Sequence, residues 1–186
     1  YPVTVLFEKP MPSKSTPFEV RQAVCELSTD WFLARKQSYR PLGELFVRSA
    51  RRHRHRHAMS DTTGKNLSYG KALIAATVLA DRFKELCGDQ KMVGIMMPAT
   101  VGGALANIAI TMLGKVPVNL NFTSSKKSLL YSIEQCGIRT IISSKAFLAR
   151  LKDFEPPEGT VFLEDLSASI TGKAKLIALL KSLVLP

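Results

Sequence analysis

Cysteine, tryptophan and long apolar runs are scarce in this chain of 186 residues. Its three cysteines, Cys25, Cys87 and Cys136, lie far apart and form no C-x-x-C pair. Neither a zinc site nor a disulfide framework is therefore indicated, and reduced thiols of this kind are typical of a cytoplasmic compartment. Charge or glycine interrupts every apolar run well before the ~18 residues that a transmembrane helix needs. Glu8, Lys9 and several prolines near the start do not fit a secretory signal peptide.

Glycine-rich nucleotide loops are also missing. Gly102 and Gly103 open a predicted helix, but they are not part of a G-x-G-x-x-G pattern, so a dinucleotide site is not indicated. The small residues around them favour close packing of that helix against a sheet. The residues themselves predict no catalytic residue, no cofactor-binding residue and no metal ligand.

Positive charge is what the chain has in excess. The formal net charge is +11 at pH 7, with more Lys and Arg than Asp and Glu in both the N-terminal and the C-terminal part. Such a surplus indicates attraction to anionic surfaces, among them phospholipid headgroups and nucleic acid. Nucleic acid is disfavoured, because no Phe, Tyr or Trp lies within Arg48–His57 to stack on bases.

The densest basic run is RRHRHRH, Arg51–His57. On a strand its histidines would share one face and could bind a metal, but on a helix they would scatter, and the arginines would repel a cation. A solvated basic helix end is the favoured interpretation. The alternative is contact with an anionic surface such as lipid headgroups, through Arg51, Arg52, Arg54 and Arg56.

A second basic segment, KAKLIALLKSLVL, runs from Lys173 to Leu185. Lys173, Lys175 and Lys181 stand against a stripe of leucine, isoleucine and valine, which predicts an amphipathic helix. Two interpretations stay open. The helix either packs on the rest of its domain, which is favoured, or lies on an anionic membrane with its lysines at the headgroups.

Residues 92–144 alternate between apolar and helical patterns. Apolar runs typical of buried strands cover Met92–Met97, Val116–Leu120 and Arg139–Ile142. Helical runs cover Val101–Leu113 and Ser125–Gln135, the second capped by Thr123 or Ser124. The alternation predicts an α/β fold, an incomplete parallel or mixed sheet flanked by helices.

A helix and a hairpin are predicted before this region. Leu42–Arg52 is a predicted helix that turns Leu45, Phe46 and Ser49 inward. The hairpin has strands His57–Asp61 and Asn66–Ser68 around the turn Thr62-Thr63-Gly64-Lys65.

Three more elements complete the predicted domain. Tyr69–Leu86 is a helix ended by Gly88, with a buried stripe of Leu73, Ala76, Ala80, Phe83 and Leu86. Val161–Leu163 is a strand, and Lys173–Val184 is a terminal helix.

The central region resembles the N-terminal part of the AMP-forming acyl-activating enzymes. The resemblance rests on a strand that ends in Met97-Pro98, on the helix after it, and on the Gly-x-Val-Pro-Val-Asn turn at Gly114–Asn119. The wording VPVNLNFT is most similar to the bifunctional acyl-ACP synthetase / 2-acylglycerophosphoethanolamine acyltransferases, in which the synthetase is fused to a lysophospholipid acyltransferase. The resemblance runs from about Pro41 to the C-terminus.

The first forty residues fit the same fusion. Pro2–Phe7 is a predicted strand, and Thr16 begins a predicted helix with Glu19 completing a capping box. The apolar face of this helix is Val20, Val24, Leu27, Trp31 and Ala34. The strand and helix resemble the end of a glycerolipid acyltransferase domain. Residues 1–40 are therefore assigned to its C-terminal tail and linker, with the linker centred on Gln37–Gly43, and residues 41–186 to an AMP-dependent synthetase/ligase domain truncated before the phosphate loop.

Three motifs that look catalytic are interpreted as structural. Thr62–Lys65 lacks the Pro-Lys-Gly end of the phosphate-binding Thr-Gly-x-Pro-Lys-Gly loop of the resembling enzymes and suits a hairpin turn. His57 and Asp61 are one residue too close for the acyltransferase His-x-x-x-x-Asp motif. Thr123–Lys127 could hold phosphate at a helix start, but a helix cap with solvated lysines is favoured.

The resemblance implies a parent enzyme that uses ATP and Mg²⁺ to activate a fatty acid as an acyl-adenylate. The acyl group would pass to acyl carrier protein or CoA and then to a lysophospholipid, at the cytoplasmic face of a bacterial inner membrane. Because the catalytic motifs are absent, this chain alone is expected to be inactive and to hold no cofactor. The alternative is a non-enzymatic basic module that binds anionic membrane surfaces.

Overall fold

The computed structural model describes residues 5–36, 39–151, 154–168 and 171–184. The chain divides into two compact units, Tyr1–Arg40 and Pro41–Pro186. In its described part the first unit contains one helix, whereas the second contains a sheet with helices on both faces.

The helix of the first unit, α1, spans Pro17–Arg35. Thr16 caps it, because its hydroxyl accepts from the Glu19 amide at 3.3 Å while the Glu19 carboxylate accepts from the Thr16 amide at 2.7 Å. These bonds from Thr16, the backbone one first, lower the pKa of Glu19. The predicted capping box is therefore confirmed, and Pro17 occupies the first turn as expected.

The rest of the first unit differs from its prediction. None of the described residues of α1 is buried, so the apolar face that includes Val20 and Val24 is not covered. Val5–Phe7, the described part of the predicted strand, forms no strand, and residues 2–4 lie outside the description. A single extended segment without a hydrogen-bonding neighbour is not a strand.

The second unit is built from helices and strands in near-regular alternation. Its elements are α2 Leu42–Arg52, β1 His57–Ser60, β2 Asn66–Ser68, α3 Tyr69–Cys87, β3 Met92–Ile95, α4 Val101–Met112, β4 Val116–Asn119, α5 Lys126–Gln135, β5 Ile141–Ser143, α6 Lys145–Leu148, β6 Thr160–Phe162, α7 Leu163–Ala168 and α8 Gly172–Val184. All the elements predicted after Pro41 are present, within one or two residues of their predicted ends.

The main sheet has four strands in the order β4-β3-β5-β6, and every neighbouring pair is parallel. Met92 pairs with Val116, Gly94 with Ile141, and Ile141 with Thr160. The hairpin β1-β2 is a separate antiparallel sheet. The predicted α/β fold is therefore confirmed, and the main sheet is parallel rather than mixed.

Helices cover both faces of the main sheet. Neighbouring residues of a strand point to opposite faces, so Ile142 joins a core under α3 and α4 while Ile141 joins a core under α5 and α6. The first core includes Phe83, and the second includes Phe147. Parallel strands are buried on both faces, which explains why β3 and β5 are continuous apolar runs.

The buried stripe of α2 is rotated from its predicted position, whereas that of α3 differs only at its last residue. In α2 the buried residues are Gly43 and Ala50, whereas Leu45 is 44% exposed and Ser49 is exposed. In α3 four of the five predicted residues are buried, but the stripe ends on Cys87, and Leu86 is 42% exposed. Burial follows the side of the helix that its neighbours cover, and α2 is turned so that Gly43 faces α4.

Strand β5 begins at Ile141, two residues later than predicted. The side chain of the buried Gln90 explains the delay, because its carbonyl oxygen accepts from the amides of Arg139 at 3.1 Å and Thr140 at 3.3 Å. Its amide group donates to the Thr140 hydroxyl at 2.8 Å. A side chain thus takes the place of a strand partner at this end of β5.

Helix α8 packs on α3 with Ala178 and Ser182 buried, while Leu176 and Leu180 are 57% and 54% exposed. The predicted packed helix is present, but its apolar residues are divided between a covered and an exposed side. Among the described residues, no helix combines the length and the hydropathy required to cross a bilayer.

Candidate functional site

The carboxyl edge of the sheet is where an open parallel sheet binds ligands. From β3 the chain moves outward to β4, then crosses back to β5 on the other side of β3. The connections after β3 and β5 therefore leave in opposite directions and open a crevice between their ends. The turn after β3 carries Met97-Pro98, and Ser144 follows the end of β5.

A cleft of about 390 Å³ lies at this switch point. The β1-β2 turn contributes Asp61, Thr63 and Lys65, and the far wall contributes Ser144 and Glu164. We call it the switch-point cleft. Its two carboxylates are the first candidates for acid–base chemistry, so their hydrogen bonds decide what the cleft can do.

Both carboxylate oxygens of Asp61 accept hydrogen bonds from other parts of the protein. One carboxylate oxygen accepts from the Thr63 amide at 2.9 Å and from the Thr63 hydroxyl, and the other accepts from the Val101 amide at 2.8 Å. The Thr63 hydroxyl, followed by the Val101 amide, lowers the pKa of Asp61. The carboxylate therefore stays ionised and fastens the hairpin to the N-terminus of α4, which also favours negative charge.

Asp61→Asn is expected to reduce stability at neutral pH and to lose that effect in acid. The folded-state pKa is below the ordinary value of about 3.9, so the stabilisation is present above that value and disappears as the pH falls through the folded-state pKa. Urea midpoints of both proteins between pH 7 and pH 2 check this, with the exposed Glu134→Gln as control. A difference between Asp61 and Asn that is independent of pH would contradict the assigned role.

Glu164 has a similar structural role on the opposite wall. Its carboxylate accepts from the Ser144 hydroxyl at 2.6 Å and from the amides of Lys145 at 3.1 Å and Ala146 at 3.3 Å. Burial raises the pKa of Glu164, but the Ser144 hydroxyl and the backbone amides more than offset this and leave it lowered. Glu164 thus ties α7 to the start of α6 and is not poised to exchange a proton.

The turn Thr62–Lys65 is a hairpin turn, as predicted, and not a phosphate loop. The Asp61 amide donates to the Lys65 carbonyl at 3.1 Å, and the Gly64 amide donates to the Asp61 carbonyl at 3.2 Å. Gly64 has φ of 83°, a conformation that favours glycine. These two backbone N–H groups are used inside the turn.

The Val-Pro-Val-Asn segment also has structural roles. Asn119 and Asn107 exchange side-chain hydrogen bonds of 3.0 and 3.1 Å, which join the end of β4 to α4. Asn121 accepts from the amide and the hydroxyl of Thr123 at 3.0 and 2.8 Å and so shapes the next turn. The cap of α5 is Ser125, which accepts from Ser128 at 3.2 Å. The prediction of Thr123 or Ser124 as the cap was wrong, since both belong to the Asn121 turn.

The basic residues singled out in the sequence have different surroundings. Arg51 is part-buried and donates to the Ser182 carbonyl at 2.8 Å, at the C-terminal end of α8. Arg52, Arg54 and Arg56 are exposed. The run Arg51–His57 therefore continues from the end of α2 through a turn into β1 rather than forming one helix end.

The lysines of α8 are likewise not equivalent. Lys181 contacts both carboxylate oxygens of Asp81 on α3 at 2.7 Å, so its charge is paired within the fold. Lys173 is exposed, and the side chain of Lys175 lies outside the described residues. The structure therefore separates Lys181, a packing residue, from Lys173, a surface residue.

No metal centre forms in the part of the chain that the structure describes, where no three His, Cys, Asp or Glu side chains converge. The cysteines are free thiols, with Cys25 exposed and Cys87 buried. Burial raises the pKa of the Cys87 thiol, more than the nearby Lys115 lowers it. Cys87 is therefore a core residue and not an activated nucleophile.

A family model described as AMP-binding enzyme matches residues 46–176. The chain belongs to the AMP-binding enzymes. The matched region contains the hairpin, the whole parallel sheet and the switch-point cleft, so the family's pattern and the geometry cover the same part of the chain.

Solved structures show the same fold for this AMP-binding enzyme chain. The N-terminal subdomain of Klebsiella oxytoca NpsA, in complex with 3-hydroxybenzoyl-AMSN, has a TM-score of 0.60 at 17% identity and covers 70% of this chain. A benzoate CoA ligase from Burkholderia xenovorans LB400 has a TM-score of 0.59 at 19% identity over 72% of the chain. A fatty acyl CoA synthetase from Mycobacterium tuberculosis has a TM-score of 0.57 at 17% identity over 69% of the chain.

The chain is much shorter than these neighbours. It covers 32% of the NpsA subdomain structure, 29% of the benzoate CoA ligase and 27% of the fatty acyl CoA synthetase. The AMP-binding enzyme chain therefore spans about a third of their length or less.

Proposed function

We propose that this chain is the N-terminal part of an adenylate-forming ligase that activates a fatty acid through an acyl-adenylate. The family match over residues 46–176 carries the proposal. Two of the solved neighbours, a benzoate CoA ligase and a fatty acyl CoA synthetase, join carboxylic acids to CoA and support a ligase. The choice of a fatty acid follows the resemblance of VPVNLNFT to acyl-ACP synthetases.

The proposed reaction uses ATP and Mg²⁺ and passes the acyl group to acyl carrier protein or CoA. We assign residues 1–40 to the tail of a lysophospholipid acyltransferase domain and residues 41–186 to the ligase domain. In this fusion a lysophospholipid would be the final acceptor, at the cytoplasmic face of a bacterial inner membrane. The capped helix α1, which ends before the boundary at Arg40, supports two domains.

The described residues do not fit a Mg²⁺ site. Asp61 and Glu164, the carboxylates of the switch-point cleft, already accept three hydrogen bonds or more each from the protein. No cluster of three His, Cys, Asp or Glu occurs in the described ranges. These two carboxylates instead hold the turns after β3 and β5 in position by hydrogen bonds.

The purified chain is expected to catalyse no exchange of pyrophosphate into ATP with any fatty acid. Adenylation depends on preorganised donors around the phosphates, and the amides of Thr63 and Gly64 in the Thr62–Lys65 turn are used within the hairpin. A longer protein encoded by the same reading frame should show exchange that depends on fatty acid.

Radioactive pyrophosphate exchange measures both proteins under the same conditions. Robust exchange by the 186-residue chain would contradict the assignment of the chain as a part of the ligase. Absence of exchange in the longer protein, with fatty acids of several lengths, would contradict the ligase proposal itself.

The second candidate function is a basic module on anionic membranes. The exposed Leu176 and Leu180 on α8 favour it, together with the exposed Lys173 on the same helix. Apolar side chains beside a cation are the pattern of a helix that lies on a bilayer surface. Leu179 is half-buried, so Leu176 and Leu180 are the residues through which such contact would occur.

A further inference from the structure

A second cleft, of about 430 Å³, shares no lining residue with the switch-point cleft. It is formed by the end of α2, the turn after it, the first turn of α3 and the end of α8. Arg51, Arg54, His55 and Lys71 line it, and no Asp or Glu is among the described residues of its wall. We call it the basic cleft.

Backbone hydrogen bonds hold the turn after α2 against the start of α3. The Tyr69 amide donates to the Arg56 carbonyl at 3.0 Å, and the Gly70 amide donates to the Arg54 carbonyl at 2.9 Å. Gly70 makes this approach possible, because a Cβ there would lie 3.0 Å from the Arg54 carbonyl oxygen. These contacts set the position of the Arg54 backbone, from which its side chain extends.

The amides of the α3 N-terminus are not the source of positive charge in the basic cleft. Tyr69 and Gly70 donate to the turn, and Lys71 donates its amide to the Ser68 hydroxyl at 3.4 Å. The attraction for an anion comes from side chains. Arg51 forms one wall, held by its bond to the Ser182 carbonyl.

Arg54 and Lys71 make no side-chain hydrogen bond or ion pair with any described residue. Lys181 and Arg48, by contrast, are paired with Asp81 and Glu44. Unpaired cations that line one cleft repel each other unless an anion lies between them. Guanidinium groups match the oxygens of a phosphate in a bidentate geometry, and lysine adds a compact charge.

Apolar residues in the same wall indicate that the bound anion has an organic group attached. Ala50, Leu73 and Ile74 line the cleft beside the cations. We propose that the basic cleft binds a phosphate ester with a small organic group, either a free organophosphate or a lipid headgroup. This site goes beyond the proposed ligase activity, since none of its lining residues belongs to the switch-point cleft.

Calorimetric titration of the 186-residue chain with glycerol 3-phosphate and with inorganic phosphate tests the proposal. The wild type should bind saturably, and Arg54→Gln/Lys71→Gln should weaken binding about tenfold or more, since two charge-assisted contacts are lost. Lys84→Gln/Lys91→Gln is the matched control, because it removes the same charge from exposed residues outside the cleft. The control should change affinity less than about twofold.

Two results would overturn the basic cleft as a phosphate site. One is the absence of saturable binding in the wild type. The other is equal weakening in both double variants, which would show only a diffuse effect of net charge. Circular dichroism melting of each variant checks the fold, which exposed substitutions should leave unchanged.

Vesicles distinguish the two sources of the phosphate. Cosedimentation is measured with vesicles of phosphatidylcholine containing phosphatidylglycerol or phosphatidic acid. If Arg54→Gln/Lys71→Gln reduces this binding more than the control pair does, the cleft takes a lipid headgroup. If it reduces only the binding of glycerol 3-phosphate, the cleft takes a free organophosphate, and either result supports the site.

Discussion

Replacing Phe83 with alanine is expected to lower the free energy of unfolding by about 3–5 kcal/mol. The side chain is 0% exposed and lies in the core between α3, α4 and the sheet. Its removal loses the transfer free energy of the ring and leaves a cavity, because the parallel strands and α4 cannot collapse to fill it. Urea unfolding followed by circular dichroism at 222 nm measures the change.

Leu86→Ala is the control for Phe83→Ala, because both residues lie in α3 and in the same predicted stripe. Leu86 is 42% exposed, so its truncation should cost less than about 1 kcal/mol. Trp31, the single tryptophan, belongs to the first unit, so circular dichroism is the better probe of this core. Similar losses for Leu86→Ala and Phe83→Ala would contradict the packing of α3.

Gly43→Ala should destabilise the second unit by about 2 kcal/mol, although alanine is the better helix former. A Cβ at this position would lie 2.7 Å from the Thr111 carbonyl oxygen and 2.8 Å from the Met112 nitrogen. Both atoms are backbone, so α2 and α4 must move apart to admit one methyl group. The thermal midpoint and the urea midpoint should both fall.

Gly172→Ala is the matched control for Gly43→Ala, because it is also helical and a Cβ there would meet nothing within 4 Å. That substitution should leave stability unchanged or raise it by up to about 1 kcal/mol. If Gly43→Ala behaved like Gly172→Ala, α2 and α4 would not be in the close contact that we describe.

The burial of Gly43 against another helix could not be predicted from the sequence. The prediction placed it both at the end of the linker Gln37–Gly43 and in the helix Leu42–Arg52. The structure begins α2 at Leu42, as predicted, and buries Gly43 against α4, which was not predicted. Glycine at a close helix contact and glycine in a linker look alike in sequence, because the reason for the first lies on another helix nearly 70 residues away.

Long-range hydrogen bonds of polar side chains in the fold could not be predicted from the sequence either. The predicted hairpin turn at Thr62–Lys65 gave no role to the Asp61 carboxylate, although its partner Thr63 is only two residues away. The second partner of its carboxylate, the Val101 amide, is 40 residues away and follows from the position of the hairpin over α4. Gln90 could not be found either, since its three partners at Arg139 and Thr140 lie about 50 residues ahead.

The structure also gives different partners to the basic residues that were grouped by sequence. Arg51, Arg52, Arg54 and Arg56 were grouped by their spacing alone, together with Lys173, Lys175 and Lys181. The structure pairs Lys181 with Asp81 and binds Arg51 to the end of α8, and it places Lys71, which had not been singled out, beside Arg54. Their binding to an anionic surface remains a proposal, now centred on Arg54 and Lys71.

The sequence by itself determined the local secondary structure. Apolar periodicity, the glycine at Gly88 and the hydroxyl that caps α1 predicted the helices, the strands and the α/β class, because each depends on residues within a few positions. The tertiary structure alone decided which stripe is buried, which carboxylates are used as caps and which cations remain unpaired. Those properties depend on contacts between segments far apart in the chain, and a linear pattern does not contain the distances that create them.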